Sequence, residues 1–490
     1  WIFSTFATQT FNLSTDMKKL IFLLLCIAAT EYAYGQAKIT VRTIAATDST
    51  VYVSAPVESF PLGITDTVVV KNGQAISLNV AVGSLSTINL RNAKQYTTLI
   101  IEPSKEYAVT FDYTRTPVVQ VDDASQQLFN EVFQKKDFYQ YEFVRNFSAA
   151  PLDTVGERML TQFETLMQQD KQRFEAVEMS SAKRAYIDAQ LELYWMGSLS
   201  RAIKSNYYTS MRSGTPMRKG YEQLWKQIYT KYPLREEMIP SPLLAAYADM
   251  LLLMKKKCAN DTLQPKTYTE YLQTKHNGLY TAITNANVKR AVIAGMLYFD
   301  CINNSTYDVA ILPFIDRFNQ AYPDNIYQAK FATFVKEIKV FQEESKRAFP
   351  PQVHFVTDGN SLNTFKELIA RFHGKPLFVD FWFSTCGPCC KQFKHNVPLK
   401  NFLKEQGIEM LYVSIDRQET EWHNAIKHFN LEGHHIRATK KLHQDLYNTY
   451  QVGSFPRYMV IDSNGNIVVS RAKEPDEGKA LYKQIKEAIH

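Results

Sequence analysis

Six cysteines in 490 residues are too few to staple a disulfide scaffold. Long apolar runs are missing as well. Beyond the first thirty or so residues no segment offers about eighteen uncharged apolar positions, and the best candidate, residues 243–254, is broken by Asp249. No internal membrane span is therefore expected. Charge of one sign is barely in excess, with 56 Lys+Arg against 49 Asp+Glu for a net +7. The longest basic run, Lys255-Lys256-Lys257, reads as a charged helix end or loop, so no nucleic-acid partner is expected. What is present is ordinary: 45% hydrophobic and 21% charged residues exclude wholesale disorder, collagen-like and coiled-coil architectures. The length suggests about three domains, ample for several buried cores.

Met17-Lys18-Lys19 and the apolar residues 20–29 read as the n- and h-regions of an export signal, with Ala33-Tyr34-Gly35 placing cleavage before Gln36. Ten apolar residues are too few to span a bilayer. The mature protein is expected in the periplasm or cell envelope. Cys26 raises a lipoprotein alternative, which Leu25 argues against, because such signals want a small residue before the cysteine. Residues 1–16 precede Met17 and are left out of the fold reading.

Three textures follow. Residues 36–122 carry short Val-, Ile-, Thr- and Tyr-rich stretches at 38–43, 50–54, 67–71, 75–80, 86–91, 96–101 and 107–113, with Asn72-Gly73 at an expected hairpin. An antiparallel β-sandwich is the natural reading. Residues 123–349 change to helical spacing, first in Leu128, Val132 and Phe133, then in Met159, Phe163, Leu166 and Met167. Further helical stretches fall at 182–203, 221–229, 242–254, 288–299 and 328–344, with breaks at Pro216, Pro233, Pro240 and Pro323. This is an all-α region without a fixed-period repeat. Pro350-Pro351 then marks a boundary, and nine of the ten histidines lie beyond it.

The last segment, 350–490, holds the chemistry. Residues 375–382 form a buried-strand pattern that runs through Phe383-Ser384-Thr385 into Cys386-Gly387-Pro388-Cys389. A Cys-x-x-Cys that follows a strand and opens a helix suits redox work. The first thiol sits at the helix N-terminus, where free N–H groups favour its thiolate. The second lies about one turn on, within reach of a disulfide. Zinc sites share the spacing, but His423, His428, His434 and His435 form no second compact ligand pair, so neither metal nor cofactor is expected.

These residues resemble thioredoxin-fold proteins, in particular the TlpA/ResA-like exported thiol-disulfide oxidoreductases. The resemblance covers residues 353–490, 138 of 490. Residues 355–360 look like the family's initial hairpin, 379–382 lead to the cysteines, and 408–416 look like the next parallel strand. Phe455-Pro456 before residues 458–461 matches the family's cis-proline loop, and Asp462-Ser463-Asn464-Gly465 the hairpin after it. The resemblance implies a C-terminal α/β thioredoxin-like fold behind the sandwich and helices. It also implies roles: Cys386 the attacking thiolate, Cys389 the resolving thiol, Asp380 a buried carboxylate that relays a proton, and Pro456 a cis residue beside the disulfide. The implied partners are protein or small-thiol disulfides and a membrane thiol that donates electrons. The Gly-Pro dipeptide is similar to that of thioredoxin, implying a reductase or isomerase.

This chain departs from the family at Thr385, where Trp is usual, at Lys394, where a helix-kinking proline is usual, and at the bulky Phe455 and Arg457 around the cis-proline. Cys390 is an additional thiol, read as packed or as a competing third thiol. Cys258 and Cys301 are open to pairing. A rival reading makes the chain a non-enzymatic envelope scaffold with a vestigial redox domain. A thiol peroxidase would need Thr or Ser and Pro where Phe383 and Val379 stand.

Overall fold

The computed structural model describes residues 35–57, 60–82, 85–116, 118–134, 155–217, 220–258, 267–304, 306–325 and 327–489. Apart from Gly35, the expected export signal, with Cys26, lies outside the described residues. The chain forms two compact units that divide between Phe299 and Asp300.

The first unit opens with strands β1 (Gly35–Ile44), β2 (Thr50–Val57), β3 (Phe60–Val69), β4 (Ala75–Val82), β5 (Ser86–Asn92), β6 (Gln95–Ile101), β7 (Glu106–Asp112) and β8 (Val119–Val121). In β1, Ala37, Ile39 and Val41 alternate inward while Gln36, Lys38 and Arg42 face out, the period that makes a half-buried strand. Two four-stranded sheets result, ordered β4-β1-β7-β8 and β3-β2-β5-β6. Their apolar faces share one core, to which Ile39 and Val109 come from the first sheet and Leu90 and Leu99 from the second. The expected sandwich is present, with two corrections. β1 and β7 run parallel, so the first sheet is mixed. Asn72-Gly73 closes no hairpin, because β3 and β4 belong to different sheets. The turn instead carries the chain across the sandwich, with Gly73 at φ 77°. Asn72 anchors it, accepting from Ala46 N–H at 2.9 Å and donating to Ala46 O at 2.7 Å.

Helices α1 (Ala124–Gln134), α2 (Val155–Glu175), α3 (Ser181–Ser213), α4 (Tyr221–Lys231), α5 (Leu244–Cys258), α6 (Tyr268–Ala282) and α7 (Ala286–Asn303) follow. The division between the units falls near the end of α7. The long α3 is bounded by its caps: Ser180 Oγ accepts from Lys183 N–H, and Gly214 turns left-handed at φ 67°.

The second unit begins with α8 (Leu312–Ala321) and α9 (Gln328–Ser345). It continues with β9 (Val353–Phe355), α10 (Phe365–Ala370), β10 (Leu377–Trp382), α11 (Gly387–Gln392), α12 (Asn396–Glu405), β11 (Glu409–Ser414), α13 (Glu419–His428), β12 (Gly433–Arg437), α14 (Lys440–Tyr450), β13 (Arg457–Ile461), β14 (Ile467–Val469) and α15 (Lys479–Ile489). The six strands are ordered β14-β13-β10-β11-β12-β9. β10, β11, β12 and β9 are parallel; β13 and β14 are antiparallel additions. Parallel strands buried on both faces need helices on both. α12, α13 and α15 supply Leu399, Ile426 and Leu481 to one face, while α10 and α14 supply Leu368 and Leu446 to the other.

Residues 355–360 do not form the expected hairpin, since β9 is an edge strand parallel to β12 and residues 359–361 form a short 3₁₀ turn. Helices α8 and α9 belong to this unit because α9 is fastened to α13. His428 Nδ1 lies 2.7 Å from Glu344 Oε2, Lys427 Nζ donates to Ser345 O at 2.8 Å, and the His428 ring packs against Tyr307 and Phe341.

Candidate active site

β10 is buried along its whole length and aims its C-terminal end at the two cysteines. Trp382, at its end, is followed by a turn closed by Cys386 N–H on Phe383 O at 2.9 Å. Cys386 is the N-cap of α11, and Pro388 falls in the first turn, where a missing N–H costs nothing. Cys386 and Cys389 form a disulfide with Cα atoms 5.2 Å apart. Cys389 N–H also points at Cys386 Sγ, at 3.2 Å. Cys386 keeps 4% of its surface exposed and Cys389 none, so only the first cysteine can be met from outside.

Asp380 lies under this pair. Alternation along β10 puts it on the same face as Phe378 and Trp382, the face that packs with both cysteines. Its strand partners are Tyr412 and Tyr458. It is 1% exposed, and among the described residues its Oδ1 has no hydrogen-bond partner. Burial holds its carboxyl well above the usual carboxylate range. The Phe455-Pro456 peptide bond is cis, and β13 starts one residue later, with Arg457 opposite Phe381. Phe383 of the cysteine turn meets Phe455 of the proline loop edge-on, ring centres 5.5 Å apart.

A family model described as thioredoxin-like matches residues 374–467. The C-terminal part of the chain is a thioredoxin-like domain. Among curated relatives, the thiol-disulfide oxidoreductase ResA of Bacillus cereus is 31% identical over 95 residues, 19% of this chain and 53% of that protein. The Bacillus subtilis ResA is 26% identical over 100 residues, 20% of this chain and 54% of that protein. The chain thus spans about half the length of the curated relatives it matches. Of solved structures, the thioredoxin domain of a Bacteroides vulgatus thiol-disulfide oxidoreductase has 28% identity and a TM-score of 0.23, covering 25% of this chain and 84% of that one. A Chlorobium tepidum protein described as a putative thiol:disulfide interchange protein DsbE has 24% identity and a TM-score of 0.23, covering 25% and 85%.

Within the thioredoxin-like domain, Lys394 in place of a proline does not remove the helix break. Residues 393–395 form a 3₁₀ turn between α11 and α12. Arg457 is 7% exposed, an unusual depth for a guanidinium. Cys390 is half-buried, and its thiol donates to Ser384 O at 3.5 Å. Burial first, then the charges of Asp416 and Asp380, pushes that thiol up to about 12, so it stays protonated at neutral pH. Cys301 is buried with a free thiol, which burial also raises. The Cys258 side chain lies outside the described residues.

Two pairings around the cysteines escaped the sequence reading. Asp416, just past the end of β11, accepts from Ser384 N–H at 3.0 Å on both oxygens, from Ser384 Oγ at 2.6 Å and from Ser414 Oγ at 2.7 Å. Gln392, at the end of α11, donates to Glu474 at 2.7 Å and accepts from Asp476 N–H at 3.1 Å. A signal for the first was available: a carboxylate at the end of the parallel strand beside the cysteine strand faces the same loop.

Proposed function

We propose that the chain is a thiol-disulfide oxidoreductase that exchanges disulfides with partner proteins through Cys386 and Cys389, working as a reductase or isomerase. The observation that carries this reading is a Cys386–Cys389 disulfide, its first cysteine 4% exposed and its second fully buried, in the same core as a buried carboxyl whose proton affinity burial raises. In the reduced enzyme, the Cys386 thiolate attacks a partner disulfide, forming a mixed disulfide and releasing one partner thiolate. Asp380, in its ionised form, takes the proton of Cys389, whose thiolate then attacks Cys386 Sγ. The second partner thiolate leaves, and two electrons have passed to the partner. Pro456 and the backbone beside it receive the extended partner segment. Turnover needs electrons, which a membrane thiol donor would supply to a protein exported on the signal in residues 17–35.

The test is the reduction potential of the couple, found by equilibrating the purified chain with glutathione or dithiothreitol buffers and counting thiols. A value near or below about −250 mV fits a reductase, and one above about −180 mV an oxidase or isomerase. Absence of any reversible two-electron couple would return the chain to the scaffold reading.

A further inference from the structure

Ser384 stands two residues before Cys386 and is 3% exposed, with every polar group it has in use. Its N–H and its hydroxyl both donate to Asp416, and its carbonyl accepts the Cys390 thiol. Asp416 is itself fixed, by the Ser414 hydroxyl and by its own N–H, which donates to Ser414 Oγ at 2.9 Å. The turn that presents Cys386 is thus tied to β11 on one side and to α11 on the other. A carboxylate collecting three donor groups from two serines is a strong, directional anchor. It sits where a small rotation would swing Cys386 Sγ away from the Cys389 N–H, 3.2 Å off.

We propose that Asp416 is a positioning residue for Cys386: by gripping Ser384 it sets the turn that holds the Cys386 sulfur against the Cys389 N–H. This rests on the proposed oxidoreductase reading. Cys390 acquires a role in the same arrangement, as a half-buried donor that closes the far side of the Ser384 clamp.

Charge and position make opposite demands on the thiol, which is what makes the proposal testable. A negative charge near a cysteine disfavours its thiolate. If Asp416 acted by charge alone, removing it would lower the Cys386 pKa. Loss of the anchor instead frees the turn, weakens the N–H contact and raises that pKa. Asp416→Asn removes the charge but keeps an oxygen for the Ser384 donors and an N–H₂ for Ser414, whereas Asp416→Ala removes both.

The measurement is the pH dependence of Cys386 alkylation by iodoacetamide in the reduced full chain, read peptide by peptide by mass spectrometry. The Asp416→Ala midpoint should rise by about one pH unit, leaving roughly tenfold less reactive thiolate below it. Asp416→Asn should show no rise, and its rate at pH 7 should stay within about threefold of the parent. Ser384→Ala, which loses the hydroxyl but keeps the N–H, should move in the direction of Asp416→Ala by a smaller step, and it carries the comparison if Asp416→Ala does not fold. A midpoint that stays put or falls in folded Asp416→Ala, or in Ser384→Ala where that variant stands in, overturns the positioning role. An intact wild-type couple alongside that result leaves the oxidoreductase reading standing, whereas a wild-type chain without a reversible couple removes both.

Discussion

At the scale of single residues, the buried Asp380 carries the sharpest consequence. Its folded carboxyl holds a proton to higher pH than the unfolded chain does, because burial penalises the charged form. Between the ordinary carboxyl range, near 3.8, and the raised folded value, the native state binds more protons than the unfolded state. Stability therefore falls as pH rises through that window. Asp380→Asn removes this slope, so its urea midpoint should exceed that of the parent at pH 7 and converge with it toward pH 3 to 4. The same change should slow resolution of the mixed disulfide about 100-fold at pH 7, because an amide cannot take the Cys389 proton. Stopped-flow release of the second partner thiol measures this. An unchanged rate would remove Asp380 from the proton path while leaving the cysteines in place. At this scale the Cys386 and Cys389 pair was legible from its spacing, whereas Asp380 and Pro456 were expected only from the resemblance to the thioredoxin-fold family. Asp416 was not, because its meaning comes from lying beside Ser384 across two strands, and a sequence separation of 32 residues hides that.

Among the elements, legibility followed the strength of the periodic signal. β1 alternates so regularly that its burial is readable from its residues. α6 was passed over because only Leu272 and Leu279 supply buried apolar side chains there, and its other buried residues are Lys275 and His276. A helix whose inner face is half polar gives almost no 3.6-residue signature. β12 escaped for a related reason. It reads Gly-His-His-Ile-Arg, yet it pairs with both β11 and β9 and buries His435. His435 stacks on Tyr412 with ring centres 4.8 Å apart and donates from Nε2 to Leu431 O at 2.8 Å, the tautomer that an acceptor carbonyl requires. Burial depresses its pKa to about 3. As pH falls below about 6.5 the unfolded chain takes up this proton and the folded strand does not, so β12 loses stability on acidification. The loss should reach about 3 kcal/mol between pH 6.5 and pH 4. His435→Gln keeps a donor for Leu431 O and does not titrate. Urea melts at the two pH values should show a shallower decline in the variant. Equal declines in both proteins would place the acid-sensitive group elsewhere.

For the whole molecule, the two units carry separate cores: the sandwich closes around residues such as Ile39, Leu90 and Phe111, the thioredoxin-like domain around Trp382, Cys389 and Tyr458. The disulfide is built into the second of these, since both its cysteines are core members. Reducing it reopens a four-residue loop in the unfolded chain, a change worth about 2 kcal/mol in the chain-entropy account. That free energy belongs to the unit whose unfolding opens the loop. Hydrogen exchange on the oxidised and reduced full chain should therefore separate the units. The slowest amides of β10, β11 and β13 exchange through global opening of their unit and should speed up roughly 30-fold on reduction. The slowest amides of β1, β5 and β7 should keep their rates. Equal acceleration in both sets would mean that the chain opens as one cooperative body, and the redox state of Cys386 and Cys389 would then be felt through all of it. Confinement to the second unit would instead leave the sandwich and its helices free to hold a partner identically in both redox states.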